Sequence, residues 1–118
     1  MSYQRGAVVL VPFPFTDLSQ QQARPAIVLS PQRLNDRSAD LILVAVSSQV
    51  PNNPNEYELV IRQGTPEFTP TGLRVSSVVK ATRIVTMSQA LIHAQLGSLA
   101  DQTLRELNRR VSRALGLS

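Results

Sequence analysis

The chain has 118 residues, of which 42% are hydrophobic and 17% charged, and its net charge is +4. This composition excludes a disordered chain and predicts one folded domain over residues 1–118. The sequence has no cysteine and no apolar run of about 18 residues, so we expect no disulfide, no thiolate metal site and no membrane span. The N-terminus lacks the layout of a signal peptide, which predicts a cytoplasmic location.

The basic residues are dominated by one type. Eleven of the twelve are arginine, whose planar guanidinium binds phosphate through two hydrogen bonds. This bias favours an anionic partner, either a nucleic acid or an acidic peptide. A net charge of +4 is modest beside the dense basic patches of many nucleic-acid-binding proteins, so charge alone does not decide between these partners.

Two apolar segments near the N-terminus predict buried strands. Residues 6–11 read GAVVLV, a near-continuous run that indicates burial on both faces. Prolines end this strand, and residues 12–23 predict a loop. The second strand is predicted over residues 24–30, and Ser30 is expected to cap a single helical turn over residues 31–35.

The middle of the chain predicts more strands, separated by loops rich in proline and glycine. In residues 56–61 the period of two places Tyr57, Leu59 and Ile61 on one face. The predicted strands of this region are residues 41–48, 56–61, 74–81 and 83–87.

The C-terminal third predicts helix. Residues 88–95 favour a short helix, and the last helix is expected to begin with Asp101 as its cap and to end at Gly116. Leucine and valine recur there at steps of three and four residues. Five or six short strands with one terminal helix predict a mainly β fold, a small curled antiparallel sheet or barrel whose helix covers one opening or edge.

The residues available for chemistry are few. His93 is the only histidine, and it lies in a mixed apolar stretch where a structural role is the commoner one. The eight acids are scattered without the spacing of a metal site, and the sequence contains no glycine-rich phosphate loop or nucleophile elbow. An enzyme with this sequence would rely on arginine, hydroxyl groups and the backbone.

Several polar residues lie at the ends of the predicted strands. Arg24 precedes Pro25 and a buried strand, and taken alone it reads as a surface arginine that could pair with Asp17. Ser47 and the serine after it close an otherwise apolar strand, and strand ends commonly carry such hydroxyls. Charges such as Lys80 at strand ends are usually solvated.

Taken in order, the segments around these residues resemble a known family. The sequences RGAVVLVPFPFTDLSQQQARPAIVLSP, LILVAVSSQ and GLRVSSVVKATRIVTM, followed by LGSLADQTLRELNRRVSRALGL, resemble the MazF/PemK toxins of type II toxin–antitoxin systems. The resemblance covers nearly the whole chain. It implies an SH3-like barrel with a C-terminal helix, which these toxins share with the gyrase poison CcdB, and it implies a homodimer.

The resemblance also implies an activity and a partner. The activity is metal-independent, sequence-selective cleavage of single-stranded RNA that needs no cofactor, and the partner is a cognate antitoxin with an acidic, disordered tail. The catalytic arginine of the family falls on Arg24, and the catalytic hydroxyl, two residues before a glutamine, falls on Ser47. The RNA-binding residues implied here are Phe15, Gln20, Ser48, Gln49, Lys80 and Arg83.

Two positions depart from the family pattern. Ala7 replaces the aspartate of the usual Arg-Gly-Asp start. Lys80 and Thr82 stand where some members carry an Arg-x-Asp pair whose aspartate acts as a base. These departures leave open a protein that binds RNA or antitoxin without catalysis, and the shared fold leaves open a CcdB-like gyrase poison.

Overall fold

The computed structural model describes residues 3–12 and 23–118, which form one six-stranded antiparallel sheet with the strand order β4-β5-β3-β2-β1-β6. The loop predicted between the first two strands, with Phe15 and Gln20, lies outside the described residues apart from its two ends. The strands are β1 (Ala7–Pro12), β2 (Ala23–Val28), β3 (Asp40–Ser47), β4 (Glu58–Ile61), β5 (Ser77–Ser88) and β6 (Ala94–Ser98). The helices are α1 (Gln32–Asn35) and α2 (Asp101–Ala114).

The central strands are buried on both faces, as the continuous apolar run of β1 predicts. Val8 packs into one apolar cluster, while Val9 and Val11 pack into a second cluster on the opposite face of the sheet. The same alternation continues in β3, where Leu43 and Val44 belong to different clusters. A curled sheet with two apolar faces explains why these strands show no polar alternation.

Helix α2 packs over the edge of the sheet formed by β4 and β5, as predicted for a terminal helix that covers one opening or edge. Leu107 is fully buried in the first cluster, and Leu104 and Val111 pack beside it. Arg110 then fixes the helix to the edge strand β4, because its Nη1 donates to the carbonyl oxygens of Glu56 at 3.1 Å and Glu58 at 3.0 Å. These bonds occupy the carbonyl oxygens of Glu58, on the edge strand β4, and of Glu56, just before it. Unpaired carbonyl groups on an edge strand would otherwise be open to pairing with another chain.

Two glycines bring the two edges of the curled sheet together, at the turn after β4 and at β6. The 3-10 turn Thr69–Thr71, which follows β4 along the chain, lies directly against β6. A Cβ on Gly72 would stand 2.1 Å from the Leu96 carbonyl oxygen, and a Cβ on Gly97 would stand 2.2 Å from the Pro70 carbonyl oxygen. Only glycine allows backbones to approach so closely, so this crossing closes the barrel.

The strands predicted at residues 74–81 and 83–87 are one strand, β5, which begins only at Ser77. The predicted division into two strands corresponds to a break in the register of β5 with β3. Val44 pairs with Ile84, while the next residue, Ala45, pairs with Lys80. Residues 81–83 therefore bulge out of the ladder, and a bulge bends a strand without ending it. The alternation predicted for β4 is confirmed, since Leu59 and Ile61 are buried together in the first cluster.

The helix predicted over residues 88–95 is wrong. Only the 3-10 turn Gln89–Leu91 forms, and the chain then enters β6. The N–H of His93 donates to the Leu10 carbonyl oxygen at 2.8 Å, and the following Ala94 pairs with Leu10. Pairing with the open edge of β1 satisfies these backbone groups and outweighs the local helical preference.

Both predicted helix caps are also wrong. The Ser30 hydroxyl accepts a hydrogen bond from the Ile42 N–H at 3.0 Å, on β3, and Pro31 occupies the cap position of α1. Ala100 occupies the cap position of α2, so Asp101 lies in the first turn, where its charge still favours the helix dipole. Among the described helices, none is both long and apolar enough to cross a membrane.

Candidate functional site

A pocket of about 230 Å³ opens where β2, β3 and β5 lie side by side, and we call it the cationic pocket. Of the eight residues proposed from the sequence, six line it, while Phe15 and Gln20 lie outside the described residues. Residues far apart along the chain are therefore brought to one place on the surface. The lining residues are Arg24, Ala45, Val46, Ser47, Ser48, Gln49, Lys80 and Arg83.

The register of the three strands explains this convergence. Ala45 on β3 pairs with Ala26 on β2 and with Lys80 on β5. Side chains directly opposite each other in a sheet lie on the same face, and residues two apart on one strand share that face. Arg24 and Ser47, each two residues from a paired alanine, therefore extend from the same face as Lys80.

The two alanines are the residues that the sequence analysis missed. Ala26 and Ala45 are buried, and their methyl groups fill little space between the three polar side chains. Ala45 lines the cationic pocket, so a larger residue at that position would occupy its floor. The sequence does show an alanine two positions before Ser47 and another two positions after Arg24. These alanines become informative only when the register between β2 and β3 is known.

The bulge in β5 shapes the third wall of the cationic pocket. Because residues 81–83 leave the ladder with β3, Arg83 lies exposed at the rim rather than within the paired strand. The paired residue Lys80 is half-buried and faces Glu58 on β4. The Glu58 carboxylate accepts the N–H of Asn55 at 2.9 Å, a bond that holds the turn before β4.

The hydroxyl of Ser47 is oriented by the backbone that follows it. Its Oγ accepts a hydrogen bond from the Gln49 N–H at 3.1 Å. A serine hydroxyl has one proton and two acceptor lone pairs, so this bond uses a lone pair and leaves the O–H proton for another acceptor. Ser47 can therefore donate a hydrogen bond into the cationic pocket.

The charges around the cationic pocket favour an anion. Arg24, Lys80 and Arg83 contribute three cations, and the described lining residues include no acid. Within residues 3–12 and 23–118, no group of three or more histidine, aspartate or glutamate side chains could hold a metal ion. The arrangement suits a phosphate group bound by guanidinium, ammonium and hydroxyl donors.

Ala7 and Thr82, which depart from the family pattern, both lie outside the cationic pocket. Ala7 is buried in the second apolar cluster, where a carboxylate would lack solvent. Thr82 is exposed on the bulge and does not line the cationic pocket. His93 is exposed beside β6 and is likewise not part of that pocket.

Arg5, at the start of the same motif, has a structural role. Its Nε donates to the Leu29 carbonyl oxygen at 2.7 Å, and its Nη2 donates to the side-chain oxygen of Asn108 on α2. The arginine thus joins the N-terminal turn to the end of β2 and to the helix. Gly6 follows with a φ of +90°, a backbone conformation that favours glycine.

Comparisons with solved structures find the same fold in several bacterial toxins. An endoribonuclease in complex with its cognate antitoxin, from a mycobacterial species, is 20% identical over 99% of this chain and 98% of that chain, with a TM-score of 0.78. MazF from Deinococcus radiodurans is 24% identical over 98% of both chains, with a TM-score of 0.75. MazE–MazF from the same organism is 22% identical over 100% of this chain and 99% of that chain, also with a TM-score of 0.75.

Sequence comparison locates the chain within a family. A search of curated proteins found no match. The family model described as "PemK-like, MazF-like toxin of type II toxin-antitoxin system" matches residues 4–115, which include every described residue of the cationic pocket. The curled six-stranded sheet with its terminal helix agrees with that assignment. The chain therefore belongs to the PemK-like, MazF-like toxin family of type II toxin–antitoxin systems.

Proposed function

We propose that this toxin cleaves single-stranded RNA at selected sequences, without a metal ion or cofactor, as a single domain that acts in the cytoplasm. One observation carries the proposal: Arg24, Ser47 and Lys80 extend from one face of three adjacent strands into a pocket that suits a phosphate. Two of the matched structures are endoribonucleases, which supports RNA as the source of that phosphate.

The proposed reaction uses the nucleophile that RNA itself provides. The 2′-oxygen next to the scissile phosphate attacks phosphorus, the bond to the 5′-oxygen breaks, and the products are a 2′,3′-cyclic phosphate and a 5′-hydroxyl end. The proton of the 2′-hydroxyl leaves to solvent as the attack proceeds, and the departing 5′-oxygen takes a proton from solvent. Negative charge on the non-bridging oxygens rises in the transition state, which is where donors from the protein are most useful.

Each side chain has a distinct proposed role. Arg24 is exposed at the mouth of the cationic pocket and would bind the non-bridging oxygens through its planar guanidinium. Arginine keeps its proton at any working pH, so we assign it charge stabilisation rather than proton donation. Ser47 would donate its remaining hydroxyl proton to the phosphate, and Lys80 would hold the charge as a point cation.

The same pocket is also the proposed target of an inhibiting antitoxin. The family comprises toxins of type II toxin–antitoxin systems, and one matched structure is an endoribonuclease in complex with its cognate antitoxin. An acidic antitoxin segment that occupied the cationic pocket would compete with RNA for the same three cations. We further propose a homodimer, which the family resemblance implies.

The test is cleavage of a long single-stranded RNA in EDTA by the wild type and by Arg24→Ala and Ser47→Ala. We expect discrete products from the wild type and a rate lower by about 10²- to 10³-fold for Arg24→Ala, because one donor to the developing charge is removed. Arg33→Ala is the matched control, since Arg33 lies on α1 outside the cationic pocket.

Three results would contradict this proposal. Wild-type protein that binds RNA but leaves it intact would favour a binding function, and equal rates for Arg24→Ala and Arg33→Ala would remove Arg24 from the reaction. DNA damage signalling in expressing cells, with intact RNA, would instead favour the gyrase-poison alternative.

A further inference from the structure

A second pocket of about 370 Å³ adjoins the cationic pocket, and we call it the apolar pocket. The two share Arg24, Val46 and Ser48, so a ligand can occupy both without leaving the protein surface. Their linings differ in character, because the other walls of the second pocket are mostly hydrocarbon. Those walls include Leu10, Pro25, Leu73, Val75 and Leu96.

Side-chain hydrogen bonds within residues 68–77 fix the wall that residues 72–77 contribute to the apolar pocket. The fully buried Thr71 hydroxyl donates to the Phe68 carbonyl oxygen at 2.6 Å and accepts the Leu73 N–H at 3.1 Å. The Ser77 hydroxyl donates to the Val75 carbonyl oxygen at 2.9 Å. These bonds use buried groups on both sides of Val75, so the wall is held in place before any ligand arrives.

The glycine crossing supplies the adjoining wall. Because Gly72 and Gly97 let the two backbones touch, Leu96 of β6 stands next to the start of the Leu73–Val75 segment. Val75 nevertheless remains 48% exposed, although it is a large apolar side chain at the edge of a pocket. An exposed apolar side chain on a fixed pocket wall contributes little to the core and offers an apolar contact surface to a ligand.

We propose that the apolar pocket holds the nucleobase of one nucleotide that flanks the phosphate in the cationic pocket. The inference rests on the proposed function, since it takes that phosphate to belong to RNA. Single-stranded RNA is commonly recognised through unstacked bases that lie against flat or apolar side chains and against arginine guanidinium planes. Arg24 stands between the two pockets, where it can contact a phosphate on one side and a base on the other.

The rim of the apolar pocket provides the means to select a base. Arg74 and Ser48 are exposed and line the pocket, and their donors can reach the hydrogen-bonding edge of a base whose ring faces Leu73 and Val75. Arginine donates only, so Arg74 favours a base with acceptors on the edge that it presents, while the Ser48 hydroxyl can donate or accept. Selection of this kind would make cleavage sequence-dependent at one position beside the cut.

The experiment uses isotope-labelled wild-type protein and two kinds of small probe. The four ribonucleoside 3′-monophosphates carry both a base and a phosphate, while ribose 5-phosphate carries the phosphate without a base. We expect every probe to shift the amide signals of Ser47 and Lys80, and at least one nucleotide also to shift those of Val75 and Leu96. Ribose 5-phosphate should leave these last two signals in place.

A variant that fills the apolar pocket provides the second measurement. The indole of Val75→Trp would occupy the space of the base, so nucleotide affinity should fall at least about tenfold while ribose 5-phosphate affinity is unchanged. Leu34→Trp is the matched control, because Leu34 is 44% exposed on α1 and lines neither pocket.

The outcomes separate this inference from the proposed function. Nucleotide signals confined to the cationic pocket, or a Val75→Trp variant with an unchanged ratio of nucleotide to ribose 5-phosphate affinity, would overturn the base site and favour an apolar side chain of a peptide as the occupant. Neither measurement requires RNA cleavage. Failure of the cleavage assay alone would overturn the proposed reaction and leave the base site standing.

Discussion

Arg24 and Ser47 lie opposite each other on the neighbouring strands β2 and β3, at the mouth of the cationic pocket. Ala26 pairs with Ala45 in this antiparallel ladder, and Arg24 lies two residues before Ala26 while Ser47 lies two residues after Ala45. An arginine and a hydroxyl in this relation can both reach one phosphate. The relation depends on the pairing of β2 with β3 and therefore on the buried strands beneath it. The pairing of Ala26 with Ala45 therefore determines whether Arg24 and Ser47 can act on the same phosphate.

Removal of the Ser47 hydroxyl should slow RNA cleavage by about 10- to 100-fold, the usual effect of losing one hydrogen bond to a charged group. Ser47→Thr should retain most of the activity because it keeps both the proton and the acceptor lone pair. The measurement is the single-turnover rate on the RNA that the wild type cuts.

Ser38→Ala is a matched control for that change. The Ser38 Oγ accepts the Asp40 N–H at 3.0 Å, the same local bond that Ser47 makes with the residue two positions later, but Ser38 lies outside both pockets. If Ser38→Ala and Ser47→Ala slowed RNA cleavage equally, the effect would come from loss of the local hydrogen bond to the backbone and not from loss of a hydroxyl in the cationic pocket.

Neutralisation of Lys80 should weaken RNA binding by a salt-dependent amount. For single strands, each phosphate contact contributes about 0.7 to the slope of log affinity against log salt concentration, so Lys80→Ala should lower that slope by about this value. Lys80→Arg should preserve the slope, and Arg33→Ala on α1 should leave it unaltered. Binding titrations at several salt concentrations measure it, and an unchanged slope for Lys80→Ala would show that Lys80 does not meet a phosphate.

The sequence predicted most of the strands, while the roles proposed for the site residues remain predictions. Arg24, Ser47 and Lys80 could be proposed because each lies beside a strongly apolar strand in an ordered pattern. Their actual proximity could not be derived from the residues, because it depends on the register between strands and on the bulge at residues 81–83. The helix predicted over residues 88–95 is wrong because the pairing of β6 with β1 is a long-range contact that local preference does not contain.

The crossing at Gly97 should tolerate no side chain. A Cβ there would lie 2.2 Å from the Pro70 carbonyl oxygen, and backbone atoms cannot rotate away as a side chain can. We expect Gly97→Ala to lower the free energy of unfolding by more than about 2 kcal/mol, within the range of strained backbone substitutions. Urea denaturation measures the change.

Gly64→Ala separates steric contact from backbone conformation. Gly64 has a φ of +87° but nothing within 4 Å of an added Cβ, so alanine there should cost only the left-handed strain of about 1 to 2 kcal/mol. Gly97→Ala should therefore be the more destabilising of the two. A smaller loss at Gly97 than at Gly64 would show that the turn and β6 can move apart.

The ion pairs on α2 should make stability depend on pH through Glu106. The hydrogen bond from Arg109 is the largest cause that lowers the pKa of Glu106, and the charge and hydrogen bond of Arg110 add to it, while desolvation opposes them. Both pairs are short, at 2.7 Å to Arg109 and 3.0 Å to Arg110. A carboxyl whose pKa is lowered by folding stabilises the folded state above its unfolded pKa, and this stabilisation disappears as the pH falls through the folded pKa.

Glu106→Gln should consequently have a lower urea midpoint than the wild type at pH 7, and the two midpoints should converge as the pH falls below the carboxyl's unfolded pKa of about 4.3. The difference should also shrink in high salt, because the pairs are partly exposed to solvent and salt screens them. Glu67→Gln, in the loop that faces α2, removes a carboxylate without touching these pairs and serves as the control. A Glu106→Gln deficit that persisted unchanged at acidic pH would have to come from packing of the side chain, since the charge that Arg109 and Arg110 stabilise would no longer be present in either protein.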